Sequence, residues 1–346
     1  MQAALMLAER GFPRTRPNPL VGAVLVADDG RILGEGFHAA YGGDHAEVAC
    51  LKDAYQHGHL APQIAAATLY VTLEPCAHTG KTPPCVEAIL NAGIKKVSVA
   101  CVDPNPRVQG KGIAALQQAG VDVQIGIMEA EARVLNKRFF CFHEQKRPYI
   151  ILKWAQTHDG FMAKADGSSR WISGEAARGL VHKWRDEEMA IMVGTTTAIL
   201  DNPYLTSRII GGRNPVRVVL DRELKIPTSF NVFDESAQTI LFNAVENYSY
   251  GAAELIKVPF DQHLLPTIMK ILYERNMTSL IVEGGPTLLR SFLDLQLWDE
   301  ARIFVNEKVF GAGIAAPQLT LPARPVMTFA HEHDALYIIE RQHDAA

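Results

Sequence analysis

Two periodicities alternate along the chain and set its architecture. Short runs rich in Val, Ile and Leu, such as LVGAVLVA at residues 20–27, read as buried strands. Stretches with apolar residues at helical spacing lie between them. The first part predicts a helix at MQAALMLAERG, the strand LVGAVLVA with RILGEGFHA as its hairpin partner, and a helix at HAEVACLKDAYQHG. It continues with the strand ATLYVTLEPC, the helix CVEAILNAG, the strand KKVSVACVDP, the helix GKGIAALQQAG and the strand VDVQIGI. A charged helical segment, EAEARVLNKRFFCFHEQ, closes this part. Such alternation predicts an α/β sheet covered on both faces.

A second series starts at KRPYIILKWAQTHDG, with Lys146, Arg147 and Pro148 marking the boundary. It predicts the strand YIILKWA, the helix SGEAARGLVHKWRDE and the strands MAIMVGTTT, VRVVLD and QTILFN. The helix LLPTIMKILYERN, the strand TSLIVEGG, the helix TLLRSFLDLQL and the strand EARIFVNE follow. The expectation is two α/β domains, residues 1–145 and 146–346, without short internal repeats or low-complexity segments.

Bulk properties narrow the class. A net charge of −4 gives no electrostatic footprint for a nucleic-acid backbone. No apolar run approaches the roughly 20 residues that span a bilayer. The N-terminal segment has no basic leader or cleavage site and reads as a helix rather than a signal peptide. Five cysteines, an odd number in a long chain, do not form a secreted disulfide framework. A cytoplasmic protein with no nucleic-acid or membrane partner is the expectation.

Chemistry first shows at GGDHAEVAC, residues 42–50. His45 and Glu47 are two apart, a spacing that does not share a face in mid-helix. At a helix start their side chains lean toward the N-terminus and converge there. Downstream, LEPCAHTGKTPPC places Cys76 after a strand and Cys85 at the opening of a helix. One imidazole and two thiolates leave the fourth tetrahedral position open, as in a catalytic zinc site. Glu47, beside the metal and not on it, is the candidate catalytic proton carrier. His78 in the same loop is an alternative ligand. The order H-x-E, P-C, C is that of the zinc nucleobase deaminases, with a longer spacing between the cysteines. A structural zinc is the competing reading, and Glu47 argues against it.

With TRPNPLVGAVLV, HAEV, TLEPCAHTGKTPPC and DPNP, and then KWAQTHDG, SRWIS, DNPYLTSR and VEGGPTLL, the chain closely resembles the bifunctional riboflavin-biosynthesis deaminase–reductase family. The resemblance covers nearly the whole chain. It implies a cytidine-deaminase-like three-layer domain followed by a dihydrofolate-reductase-like α/β domain. It also implies two reactions on a phosphorylated pyrimidine: removal of an amine from a diaminopyrimidinone ribosylamino phosphate, and reduction of the ribosyl to a ribityl group with NADPH. Carried over, His45, Cys76 and Cys85 hold Zn2+, Glu47 moves protons, and Asn18 and Ala46 lie in the pyrimidine pocket. A homodimer is expected from the resemblance alone. The chain starts later than family members usually do, so an earlier start codon is an open expectation.

The second site is fainter by its residues. VEGGPTLLRSFL runs from strand to glycines to helix, with Pro286 suited to the first helical position. Backbone N–H groups of Gly284, Gly285 and Thr287 are candidates to cradle a diphosphate, although this is not the G-x-G-x-x-G fingerprint. VGTTTAILDNP reads as a second small-residue loop. The resemblance assigns Gln156, Trp171, Thr197, Asp201 and the 285–289 loop (Gly285, Pro286, Thr287, Leu288, Leu289) to NADPH. It assigns Ser169, Arg185, Leu205, Arg208 and Glu283 to the substrate, where Arg185 and Arg208 suit a phosphate. Three positions depart from the family: Thr157 and His158 in THDG, expected to alter a wall of the nucleotide pocket, and Arg222, expected to reach the 2′-phosphate of NADPH.

Other readings are a deaminase for a different nucleobase and a zinc-stabilised nucleotide sensor without activity. The first leaves the second domain unused, and the second leaves Glu47 unused. His38, His57, His59 and Cys50 read as structural or surface residues, and Cys101 and Cys141 as core.

Overall fold

The structure, a computed structural model, describes residues 1–79, 83–165, 172–321, 324, 326–329 and 333–341. It divides into two units, Met1–Lys146 and Arg147–Ala346.

The first unit begins with α1 (Gln2–Glu9), β1 (Gly22–Val26), β2 (Ile32–Phe37), α2 (Ala46–Gln56) and α3 (Ala61–Ala66). It continues through β3 (Thr68–Val71), α4 (Cys85–Asn91), β4 (Lys96–Val99), α5 (Lys111–Gln118), β5 (Asp122–Ile125), α6 (Glu129–Leu135) and α7 (Lys137–Gln145). The strand order is β2-β1-β3-β4-β5. β1 runs antiparallel to β2 and β3, while β3, β4 and β5 are parallel. Side-chain alternation sends Ala23 and Leu25 of β1 toward Cys50 and Leu51 of α2, and Val24 toward Ala4 and Leu7 of α1. Leu5, Phe139 and Phe140 pack with Leu73 and Cys101 on a further cluster. The sheet is thus covered on both faces.

The alternation of glycines in β2 fixes α2. A Cβ on Gly34 would meet the Cys50 carbonyl at 2.5 Å, and one on Gly36 would meet the Cys50 nitrogen at 2.2 Å. Helix and strand therefore pack backbone to backbone, which sets where the start of α2 projects. The final charged segment is two helices rather than one. They part at Asn136, whose amide donates to the Leu20 carbonyl (2.9 Å) and accepts from the Leu20 N–H (2.8 Å).

The second unit contains β6 (Tyr149–Thr157), β7 (Phe161–Ala163), α8 (Glu175–Glu187), β8 (Ala190–Gly194), α9 (Thr195–Asp201), β9 (Val216–Leu220) and β10 (Thr239–Asn243). After these come β11 (Tyr248–Tyr250), β12 (Ala253–Lys257), α10 (Leu264–Glu274), β13 (Ser279–Val282) and α11 (Pro286–Asp294). The last strands are β14 (Glu300–Asn306), β15 (Ile314–Ala315), β16 (Met327–Phe329) and β17 (Asp334–Glu340). The main sheet has the order β11-β12-β10-β9-β8-β13-β6-β14-β17-β16. From β12 to β14 all neighbours are parallel, so their C-terminal ends share one edge. One face buries Ile150, Leu152, Met192, Val218 and Leu280 against Ile268 and Leu272 of α10 and Leu289 and Phe292 of α11. On the other, Trp184 of α8 lies 5.5 Å from the ring of Phe304.

The expected loop after β8 is the helix α9. Its first residue, Thr195, donates its hydroxyl to the Leu220 carbonyl at the end of β9 (2.7 Å). This long-range contact offsets the weak helix propensity of a Thr-Thr-Thr run. The strands β7, β11, β12, β15, β16 and β17 are additions to the elements that the pattern predicts.

Candidate functional site

In the first unit two helix starts converge. His45 immediately precedes α2, and Cys85 is the first residue of α4. Cys76 follows β3 by a short loop, and the Cys85 N–H donates to its sulfur at 3.4 Å. His45 Nδ1 is 3.1 Å from the Cys85 sulfur and 3.6 Å from the Cys76 sulfur. All three ligand atoms lie within 4.8 Å of one another. Tetrahedral zinc with ordinary Zn–N and Zn–S bonds separates such donors by about 3.5 Å, so the triad fits the ion. Cys76 is held down at about 4, first by the Cys85 thiol and then by His45, and Cys85 is correspondingly pushed up. The lowering favours the Cys76 thiolate, the form that binds a metal.

Glu47 sits one turn-position inside α2 and is 3% exposed. Burial pushes its carboxyl up to about 7. It faces a cavity of about 420 Å³ lined by Asn18, His38, His45, Ala46, Cys76 and Asp103 among others. Asn18 and Ala46 are thus brought to the same cavity as the triad. His38 is 3% exposed and not merely structural. Its Nδ1 is 2.9 Å from the Asp44 carbonyl, which can only accept, so Nδ1 carries the proton. Burial lowers its pKa, so the ring is neutral and Nε2 accepts from the Asn18 amide at 3.1 Å. The contact with His38 uses the Asn18 amide nitrogen and not its oxygen. His78 is exposed at the rim of the cavity and is not part of the metal triad.

In the second unit a crevice of about 330 Å³ opens at the C-terminal ends of β6, β8 and β13, where parallel α/β sheets bind their ligands. Thr197, Asp201, Gly285 and Pro286 line it with Lys153, Trp154 and Glu283. Pro286 is the first residue of α11. A Cβ on Gly284 would press on the Leu288 side chain, its Cδ2 at 2.7 Å and its Cβ at 3.1 Å, so Leu288 would have to shift; one on Gly285 would meet the Thr197 hydroxyl at 3.7 Å. Glycine at 285 leaves open space before a helix N-terminus, a cradle suited to a dinucleotide diphosphate.

Glu283 is held by Arg185 through two bonds, Nε to Oε1 at 3.1 Å and Nη2 to Oε2 at 2.9 Å. Lys153 stands 3.8 Å from the same carboxylate. Burial alone would raise the Glu283 carboxyl, but the charges of Arg185 and then Lys153 outweigh it and hold it at about 2. Burial pushes the Lys153 ammonium down against the pull of Glu283.

The remaining expected residues are placed less centrally. Gln156 accepts from the Trp154 indole at 2.8 Å. Thr287 is exposed on α11, Leu289 is in the core, and the Leu289 N–H bonds the Gly285 carbonyl at 3.2 Å. The 285–289 segment is the first turn of a helix rather than a loop, so Leu288 and Leu289 present apolar side chains to the core. Leu205 is buried with a φ of 56°. Arg208 and Arg222 are exposed. Thr157 is fully buried, its hydroxyl donating to Asp159 at 2.6 Å, so it stabilises a turn instead of walling the crevice. His158 is exposed. Ser169 and Trp171 lie outside the described residues. Lys153 escaped the sequence reading; the signal was a lysine inside the apolar strand run YIILKWA.

Known proteins show the same two-part organisation. Residues 1–101 match the cytidine and deoxycytidylate deaminase zinc-binding region, and residues 148–331 match the RibD C-terminal domain. The riboflavin biosynthesis protein RibD of Aquifex aeolicus is 44% identical over 327 residues, which cover 92% of this chain and 89% of that protein. A diaminohydroxyphosphoribosylaminopyrimidine deaminase/5-amino-6-(5-phosphoribosylamino)uracil reductase from Thermotoga maritima superposes with a TM-score of 0.86 at 38% identity, covering 98% of this chain and 97% of that one. Acinetobacter baumannii RibD also gives 0.86, at 35% identity over 99% and 98% of the two chains. This chain belongs to the RibD family of riboflavin biosynthesis proteins, bifunctional enzymes that join a zinc-dependent deaminase to an NADPH-dependent reductase.

Proposed function

We propose that the first unit hydrolytically deaminates 2,5-diamino-6-(5-phosphoribosylamino)pyrimidin-4(3H)-one and that the second reduces the ribosyl side chain of the product to ribityl. The observation that carries this reading is the buried Glu47 carboxyl beside a three-donor triad, with Glu47, His45 and Cys76 lining one cavity. When bound by His45, Cys76 and Cys85, zinc supplies the Lewis acidity that makes water nucleophilic near neutral pH. Glu47 is placed to take a proton from the attacking water and to return it to the leaving amine. Asn18, oriented by His38, accepts from the pyrimidine edge, and Ala46 closes the pocket at the start of α2.

In the second unit NADPH supplies the hydride. Gly285 and Pro286 at the start of α11, with Thr197 and Asp201 from α9, hold the dinucleotide. Glu283, fixed by Arg185, holds the substrate, and Lys153 beside it is the side chain placed to give a proton as the sugar ring opens. Arg208, on the loop that also carries Thr206 and Ser207, serves the phosphate. The family resemblance assigns Gln156, Trp171, Leu288 and Thr287 to the cofactor and Ser169 and Leu205 to the substrate, while Leu289, buried in the core, can contribute only through its backbone.

A homodimer and a cytoplasmic location belong to the same proposal. Five free thiols suit a reducing compartment, and no described helix is long and apolar enough to cross a membrane. Light scattering that gives the mass of a single chain would contradict the dimer. The test of function offers the zinc-loaded protein the diaminopyrimidinone substrate with and without NADPH and follows products by mass spectrometry. Amine-to-carbonyl exchange alone is expected without NADPH, and two added hydrogens with it. An unaltered substrate in both reactions would overturn the reading.

A further inference from the structure

The residue two before the first cysteine ligand has a task that the deamination chemistry does not use. Glu74 is 4% exposed, and its carboxylate accepts from four backbone N–H groups. Oε2 takes the N–H of Asp103 (3.2 Å) and of Gly110 (2.9 Å). Oε1 takes the N–H of Gly112 (2.9 Å) and of Ile113 (3.3 Å) at the start of α5. The segment tied in this way carries Asp103, Asn105, Arg107 and Val108, all of which line the cavity of the first unit.

A second contact locks the same two chain segments. A Cβ on Gly112 would meet the Pro75 carbonyl at 1.8 Å. Only glycine lets α5 approach the backbone that leads into Cys76. Gly110 has a φ of 74°, a conformation in which glycine carries no strain, and it points its N–H at Glu74. The GKG of the fifth helix and the LEPC before the metal loop are therefore two halves of one joint.

We propose that Glu74 is a positioning residue of the deaminase. It holds the 103–108 wall of the pyrimidine cavity in register with the ligand loop of Cys76, so that substrate is bound where the metal triad and Glu47 can act on it. This rests on the assignment of that cavity to deamination. The carboxylate suits the task because each oxygen serves two donors, and bonds to an ionised acceptor are the stronger kind. An amide at this position has one oxygen, so two backbone N–H groups would face an NH2. If that oxygen keeps the start of α5, the wall at Asp103 and Gly110 is released while the metal ligands stay in place.

The experiment compares wild type, Glu74→Gln, Glu74→Asp and Glu47→Gln as zinc-loaded full chains. Zinc per chain, kcat and KM for deamination without NADPH, and reductase activity on the deaminated product are measured. For Glu74→Gln we expect one zinc per chain, unchanged reductase activity, and a deamination KM raised about tenfold with a much smaller change in kcat. Glu74→Asp, which keeps the charge and both oxygens on a shorter stem, is expected between Gln and wild type; it also keeps the test alive if the Gln variant does not fold. An unchanged KM in both variants, or a fall in kcat that follows lost zinc, would overturn the proposal. Glu47→Gln separates the two readings: if it still deaminates within tenfold of wild type, the proton transfer assigned to this cavity is wrong, whatever Glu74 does.

Discussion

Both units bury a glutamate at their site, and the two carboxyls move in opposite directions. Glu47 is pushed up to about 7 because burial is the largest influence on it and its charged neighbours are the thiols and His45. Glu283 is held at about 2 because Arg185 and Lys153 outweigh a similar burial. One side-chain type thus serves two purposes. Glu47 can exchange a proton near neutral pH, as an acid–base catalyst must, while Glu283 is a fixed anion around which cations are arranged. Neighbouring charge, rather than depth, separates the two roles.

The sharpest way to break this comparison is to remove the exchangeable proton. Glu47→Gln keeps the shape of the start of α2 and leaves the triad untouched. Deamination is expected to fall by roughly 10³-fold or more, within the range for general acid–base groups, with zinc retained and the reductase unaffected. A Gln variant that deaminates within tenfold of wild type would assign the proton transfer elsewhere. Removing zinc by chelation is expected to give the same pattern: deamination lost, reduction kept, and deamination restored when zinc is returned.

Glu283→Gln tests the other half. It leaves Arg185 and Lys153 buried together without their anion, a change expected to destabilise the second unit by about 3 kcal/mol. The pH dependence has a definite sign. The folded-state carboxyl is depressed from 4.5 to about 2, so its contribution is complete above about pH 4.5 and is lost as pH falls toward 2. Wild type should therefore lose urea resistance across that window more steeply than Glu283→Gln does. All four tryptophans, Trp154, Trp171, Trp184 and Trp298, belong to the second unit, so selectively excited tryptophan fluorescence reports on this unit alone. Parallel acid profiles for the two proteins would mean that Glu283 is not the depressed group.

The same contrast explains what was legible in the sequence. His45, Glu47, Cys76 and Cys85 fall at helix starts and a strand end, so local pattern marks each of them, although packing brings His45 and Cys85 together across 40 residues. Gly34 and Gly36 looked like ordinary hairpin residues, yet they set the approach of α2. In the second unit the site is assembled from distant segments: Arg185 and Glu283 are 98 residues apart and meet only because β13 runs beside β8 in the sheet. No local period carries that information, and only the family resemblance named them. Lys153 stayed hidden inside an apolar run. The helix α9 did too, since its Thr-rich start is stabilised by the end of β9 rather than by its own residues. The break at Asn136 likewise depends on Leu20, 116 residues away.

Arg222 gives the smallest expected effect and separates the rim of the second site from its buried centre. It follows Asp221, just past the C-terminal end of β9 and on the sheet edge that carries the crevice, and it is exposed. If it meets the 2′-phosphate of NADPH, the contact is made in water, where an ion pair contributes little. Arg222→Ala is therefore expected to raise KM for NADPH by about threefold and to leave NADH unchanged. Salt distinguishes this from the buried pair. Raising ionic strength from 0.1 to 1 M shortens the screening length from about 10 to about 3 Å, which should erase most of the difference between Arg222→Ala and wild type. The loss caused by Glu283→Gln should persist, because its partners are shielded from the solvent. Equal KM values for NADPH in wild type and Arg222→Ala at low salt would remove Arg222 from the cofactor site and leave the crevice to Thr197, Asp201 and the start of α11.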